Sequence, residues 1–320
     1  MIEPRPVQLH CRDGISLGAD VWRPYRSEPL GHVVINPATG VLARYYHRYA
    51  QFLAEHGFWV LTYDYRGIGA SRPQRLRGCG YRWSDWGELD FEAALTFARN
   101  GHPDSPLLVV GHSIGGFLPG LAPSARVIDR ILSVGAQFAY WQDYAKKARA
   151  RMFLKWHLFM PLVTAALGYF PGKRLGWLED LPAGVANEWS FRRSRMELSH
   201  PPAHRHEILE RFAAVKGEIL AIAVSDDEYG TPRAIRRGLS YYSNARKIEV
   251  LLRPADYALE RIGHFDLFHS RHKAGFWLDT VLWLRDAVNP WPGHPFTPEP
   301  EHMHLPGKCR AQLSPAGRPS

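Results

Sequence analysis

The sequence predicts an α/β fold, a doubly wound and mostly parallel sheet interrupted by an inserted helical cap. Three observations predict it. Short apolar runs alternate with helix-period segments along most of the chain. A serine bracketed by glycines follows the most apolar of those runs, Leu-Leu-Val-Val-Gly-His-Ser-Ile-Gly-Gly at 107–116. About eighty residues then separate two later strand candidates, far more than a simple crossover uses.

The elements follow in order. Val7 to Arg12 and Ile15 to Trp22, joined at Asp13-Gly14, read as an antiparallel hairpin. His32 to Ile35 is a short buried strand ending in Asn36-Pro37-Ala38-Thr39-Gly40. A helix comes next, with Tyr46, Ala50 and Leu53 on one face and Gly57 as its stop. Phe58 to Tyr63 is a strand that opens into the glycine-punctuated loop 64–71, and a helix from Ser84 to Arg99 carries Leu89, Ala93 and Phe97 at four-residue spacing. Four apolar residues from Leu107 suit a strand covered on both faces, and the glycines after it let a helix begin at once. Ile131 to Val134 and Ile219 to Val224 are further strands. A helix at Arg233 to Tyr242, a strand at Lys247 to Leu252 and a helix at Lys273 to Val288, with Trp277, Val281, Leu284 and Val288 along one side, complete the pattern.

The expected division is a core of residues 1–140 and 218–288, a helical cap of residues 141–217, and a tail of residues 289–320. In that tail eight of 32 residues are proline and no apolar periodicity survives, which predicts disorder. The cap carries 13 Lys and Arg against 7 Asp and Glu, and its aromatic segment includes Phe153, Trp156 and Phe159 as residues that would line a substrate pocket.

Composition sets the class. With 320 residues, 45% hydrophobic and 22% charged, the chain is long enough for a full core and ordinary for a globular protein. Cys11, Cys79 and Cys309 are too few and too scattered for a disulfide framework or a metal cluster. The first residues lack the pattern of a secretory signal, so a cytoplasmic location is expected. The longest apolar run, near 152–170, is broken by Lys155, His157 and Pro161, so no membrane span is expected. A net charge of +9 invites a nucleic-acid reading, yet no basic run with interleaved aromatics occurs; no nucleic-acid partner is expected.

Residues 111–115 spell G-x-S-x-G, which places Ser113 at a sharp strand-to-helix turn with the amide of Ile114 aimed at the same spot. A serine hydroxyl is a weak nucleophile at neutral pH, so it needs a base within hydrogen-bond reach and a third group to orient that base. His264, in Arg-Ile-Gly-His-Phe between the last strand and last helix, suits the base. The acid is expected after the strand 219–224, where Asp227 has left the sheet and Asp226 is the alternative.

The Gly-His-Ser-Ile-Gly-Gly turn, the loop Asp64 to Ser71, the turn Asp226-Asp227-Glu228-Tyr229 and the turn Ile262-Gly263-His264-Phe265 together resemble the alpha/beta-hydrolases. The resemblance is strongest to the bacterial branch of serine aminopeptidase-like hydrolases, and it covers about residues 5–288. It implies a serine hydrolase acting on a small-molecule acyl substrate, an ester or thioester, with no metal or organic cofactor. Acyl transfer, cofactor-free haloperoxidation and non-catalytic ligand binding are the alternatives on the same scaffold. It also implies that a second oxyanion amide comes from Ala38 or Thr39, although Asn36-Pro37 stands where the family more often has His-Gly.

Overall fold

The computed structural model of the chain describes residues 2–101 and 103–296. The chain enters through a hairpin of β1 (Arg5–His10) and β2 (Ser16–Trp22), registered from Arg5 opposite Val21 to His10 opposite Ser16. It continues through β3 (His32–Asn36), helix α1 (His47–Glu55), β4 (Trp59–Tyr63) and helix α2 (residues 83–101). Then come β5 (Leu107–His112), the short helix α3 (Ile114–Phe117) and β6 (Arg130–Val134). The insert after β6 holds helix α4 (residues 149–167), a small antiparallel pair of β7 (Tyr169–Phe170) and β8 (Leu181–Pro182), helix α5 (Ala183–Ser190) and helix α6 (Arg205–Ala214). β9 (Glu218–Val224), helix α7 (Pro232–Leu239), β10 (Arg246–Leu252) and helix α8 (residues 273–286) follow.

Eight strands form one sheet in the order β1-β2-β4-β3-β5-β6-β9-β10, antiparallel at β1-β2-β4 and parallel from β4 onward. Alternate residues of the central strands feed two cores. Leu107, Val109 and Ile131 join one face, while Leu108, Val110 and Leu132 join the other. Both faces being covered is why these strands read as unbroken apolar runs. Because the strands from β3 to β10 are parallel, the loops after Asn36, His112, Val134, Val224 and Leu252 emerge at one edge, where open α/β sheets bind their ligands.

Several expectations change on contact with the structure. In α2, residues 86–91 form a wider i→i+5 turn that rotates the buried stripe onto Trp86, Asp90, Ala94 and Ala98, leaving Leu89 and Phe97 only half-buried. Asp90 belongs in that stripe because its carboxylate accepts from Arg66 Nε at 2.6 Å and from the Arg66 amide at 2.8 Å. The loop 64–71 is therefore an anchor, and Asp64 reinforces it by accepting from the amides of Ala43 and Ala70, each at 2.8 Å. Helix α8 stops at Asp286, where Ala287 turns left-handed, so Val288 is exposed rather than packed.

Two segments beside the expected boundaries make defined contacts with the core. Helix α6 packs on the segment that follows the serine turn: Phe212 lies on Phe117 with ring centroids 4.9 Å apart and fills the space a side chain at Gly120 would need. Residues 291–296 return to the core: Pro295 bridges Val250, the Leu251 amide donates to the His294 carbonyl, and Trp291 and Phe296 are buried. Residues 297–320, the rest of that expected tail, lie outside the described residues. Among the described residues no helix is long and apolar enough to cross a membrane, and no cluster of His, Cys, Asp or Glu is placed to hold a metal ion.

Candidate active site

Ser113 follows β5 at φ 56° and ψ −125°, a left-handed conformation that a non-glycine residue rarely adopts. The turn is held because the Ser113 amide donates to the Val134 carbonyl at 2.9 Å and α3 starts at the next residue. Its flanks have no room for side chains. A Cβ at Gly111 would lie 2.3 Å from the Gly116 Cα, and one at Gly115 would lie 2.3 Å from the Asn36 carbonyl oxygen. The G-x-S-x-G spacing thus follows from β5 and α3 crossing at contact distance beside the end of β3.

The two acidic candidates after β9 separate cleanly. Asp227 Oδ2 accepts from His264 Nδ1 at 2.7 Å, and Asp227 Oδ1 accepts from the amides of Tyr229 at 2.7 Å and Gly230 at 2.9 Å. Asp226 instead accepts from the amides of Ile262 at 3.0 Å and Gly263 at 2.9 Å, which fixes the loop that carries His264. Burial pushes the Asp227 carboxyl up most strongly, but His264 and the two amides together outweigh it and hold it below the ordinary aspartate value. Ser113 and His264 face one cavity. Among the described residues the hydrogen bond to Ser113 Oγ comes from Gln137 Nε2 at 3.4 Å rather than from the imidazole; such a bond to the base commonly tightens only once substrate is bound.

His112, the residue before Ser113, ties two loops together. Its Nε2–H donates to the His264 carbonyl at 2.7 Å, so its Nδ1 accepts from the Tyr46 hydroxyl at 2.7 Å, and that hydroxyl accepts from the Ala38 amide at 3.0 Å. Of the two amides expected as second oxyanion donor, Ala38 is therefore turned away into the Tyr46 hydroxyl. Thr39 has no such partner among the described residues and lines the cavity beside Ser113. Asn36 explains the missing His-Gly: its side-chain amide donates to the Gly115 carbonyl at 3.1 Å and its oxygen accepts from the Tyr63 hydroxyl at 2.8 Å, joining this loop to the serine turn.

His112 also predicts a pH dependence. Burial, then the charge of His264, lowers its pKa to about 3, so the folded chain keeps it neutral while the unfolded chain protonates it below about 6.5. Between those values the unfolded state holds more protons, and stability falls as pH falls, by at most ~1.4 kcal/mol per pH unit for one group. His112→Gln should flatten that slope. Melting temperatures of both proteins from pH 7 to pH 4 would check this, and parallel curves would contradict it.

The cavity, about 280 Å³, lies between the strand ends and the insert and is lined by Ser113, Thr39, Gln137, His264, Lys155 and a set of aromatic rings. Wider grooves elsewhere on the surface reach neither Ser113 nor His264. Of the three insert residues expected to line it, only Trp156 does. Phe153 packs against Trp141 and His157, Phe159 packs against Trp177, and both remain more than a third exposed. The wide turn at residues 154–159 presents Lys155 and Trp156 inward instead. Trp83, Trp177 and Trp189 complete the wall, contributed by three segments that nothing in the sequence links to one another. Trp156 stacks on Trp189 at 4.5 Å between ring centroids and donates from Nε1 to the Tyr229 hydroxyl at 3.2 Å; the Tyr229 ring in turn lies 4.9 Å from that of His264. The roof of the cavity therefore rests on the turn that carries Asp227. Arg192 is buried over the Trp83 ring, whereas Arg193 beside it faces solvent.

Comparison with known proteins bears on the fold. The model of the serine aminopeptidase S33 family of hydrolases matches residues 27–180. A monoacylglycerol lipase of Mycolicibacterium smegmatis is 35% identical over 105 residues, which are 32% of this chain and only 35% of the lipase's length. Among solved structures, an esterase of Pyrococcus furiosus superposes with a TM-score of 0.55 at 15% identity, covering 89% of this chain and 91% of the esterase. A hypothetical protein from Pseudomonas aeruginosa gives 0.56 at 18%, covering 89% and 94%. At such identities the structural likeness speaks for fold alone, and with the parallel sheet it leads to one conclusion: this chain has the alpha/beta-hydrolase fold, its residues 27–180 resembling the serine aminopeptidase family.

Proposed function

We propose that the protein is a serine hydrolase that cleaves a carboxylic ester or thioester through an acyl-enzyme on Ser113. The observation that supports this most is a single one: a serine on a left-handed strand-to-helix turn shares a small cavity with a histidine whose Nδ1 is bonded to a buried carboxylate. The insert residues that roof this cavity act as a cap.

Ser113 Oγ attacks the substrate carbonyl carbon while His264 Nε2 takes its proton. Asp227 holds the Nδ1–H tautomer, so that Nε2 keeps a free lone pair, and it stabilises the imidazolium that forms. Negative charge gathers on the carbonyl oxygen, toward which the amides of Ile114 and Thr39 are the available donors. His264 then gives the proton to the departing alcohol or thiol, and water repeats the sequence to free the acid. Gln137 donates to Ser113 Oγ and, through its oxygen, accepts from the Ala139 amide, which steadies the hydroxyl in the resting site.

An ester of modest length is the expected substrate, because the cavity is small and its walls are mainly aromatic. The test is labelling of the purified protein with a fluorophosphonate, followed by p-nitrophenyl and thioester substrates of rising acyl length. Labelling confined to Ser113 and turnover that peaks at short to medium chains is the expected result. No labelling and no turnover of any of these substrates would overturn the reading.

A further inference from the structure

The cavity next to Ser113 contains one feature that cleavage of a neutral ester does not use. Among the described residues lining it there is one lysine, Lys155, and no carboxylate. Its ammonium sits 3.8 Å from the centroid of the Trp177 ring and 4.4 Å from that of Trp156, both of them cavity walls. The nearby acid is already engaged, since Glu228 takes Arg151 at 2.5 Å, and no carboxylate pairs with Lys155 among the described residues.

A lysine that merely covered an indole would carry its charge out to water. Lys155 is instead half-buried on the wall of an enclosed, largely aromatic space. Burial, and after it the charge of Arg151, press its pKa below the ordinary lysine value. Both influences work against the lone cation, and a bound anion would offset both. Contact with two indole faces holds the ammonium in place but leaves its charge uncompensated.

Building on the hydrolase reading, we propose that the cavity selects esters whose acyl chain ends in a carboxylate, with Lys155 as the residue that binds it. A charge-assisted hydrogen bond to a half-buried ammonium discriminates more than the same contact in bulk water. The space fits this: about 280 Å³ is on the order of nine water volumes at ~30 Å³ each, enough for a short dicarboxylic half-ester and little more.

The experiment compares mono-p-nitrophenyl glutarate with p-nitrophenyl pentanoate, two acyl chains of equal carbon count that differ in the terminal carboxylate. The readout is the ratio of their kcat/KM values in the full-length protein. In the wild type the ratio should favour the glutarate. It should fall at least tenfold in Lys155→Met, fall further in Lys155→Glu and stay within about threefold of wild type in Lys155→Arg. Much of the preference should survive high salt, because a buried contact is screened less than long-range attraction by surface charge, whose reach is about 8 Å at physiological ionic strength. A ratio unchanged in Lys155→Met, or equal losses for both esters, would overturn the proposal and reduce Lys155 to a prop for the indoles.

A second measurement needs no turnover. Free glutarate should raise the melting temperature of Ser113→Ala more than pentanoate does, and the difference should vanish when Lys155→Met is added; no difference at the start would count against the proposal. Failure of the hydrolase reading looks different, because the wild type would then cleave neither ester and take no fluorophosphonate label.

Discussion

Ser113→Ala is expected to abolish fluorophosphonate labelling and to lower kcat on the order of 10⁶-fold, while leaving the melting temperature nearly unchanged. In the proposed mechanism serine, histidine and carboxylate act as a unit, so removing the nucleophile removes almost everything the other two contribute. Stability is spared because alanine keeps the Cβ and therefore keeps the same left-handed strain at φ 56°. Ser113→Gly separates the two effects. It should be equally inactive, yet more stable by about 1 kcal/mol, since relief of roughly 1–3 kcal/mol of backbone strain exceeds the extra chain entropy of glycine. Label transfer to another serine in the alanine variant would show that the nucleophile lies elsewhere. A glycine variant no more stable than wild type would show that the turn stores no strain.

Asp227→Asn is expected to cost on the order of 10⁴-fold in kcat. The geometry says why. To keep the amides of Tyr229 and Gly230, the asparagine oxygen must stay in the place of Oδ1, which turns its NH₂ toward His264 Nδ1. Two donors then face each other, the imidazole moves its proton to Nε2, and the lone pair that would take the serine proton is gone. Asp226→Asn should behave differently. One of the amides of Ile262 and Gly263 would meet an NH₂ group, loosening the loop beneath His264, so a drop on the order of tenfold and a lower melting temperature are expected. Steady-state kinetics and thermal unfolding of the two variants decide it. If Asp226→Asn proved the more damaging to kcat, the roles of the two carboxylates would have to be exchanged.

Much of the fold was legible because its signals are local. Period-2 and continuous apolar runs, Gly57 as a helix stop and the glycines around Ser113 all act over a few residues, and the structure contains the corresponding strands, helix end and turn. That Ser113, Asp227 and His264 lie at one edge was also legible, since each follows a strand and the parallel sheet delivers those strand ends there. The helix faces were read less well. A single wide turn in α2 moved the buried stripe by a residue, and a similar turn in α4 sent Phe153 and Phe159 outward while bringing Lys155 inward. Hydrogen-bond slippage of that kind depends on what the helix packs against and leaves no mark on composition.

By itself, then, the sequence determined the parallel core, the serine turn and the order in which its partners arrive, because those follow from backbone sterics and strand period. Only the tertiary structure decided which of two adjacent aspartates meets His264, which of two adjacent amides remains free beside Ser113, and which aromatic residues wall the cavity. Neighbours in sequence at a strand end leave it in different directions, and a side chain such as Tyr46 or Trp189, far away along the chain, settles which of those directions is satisfied. That contest is between groups brought together only by folding, so no local pattern could have settled it.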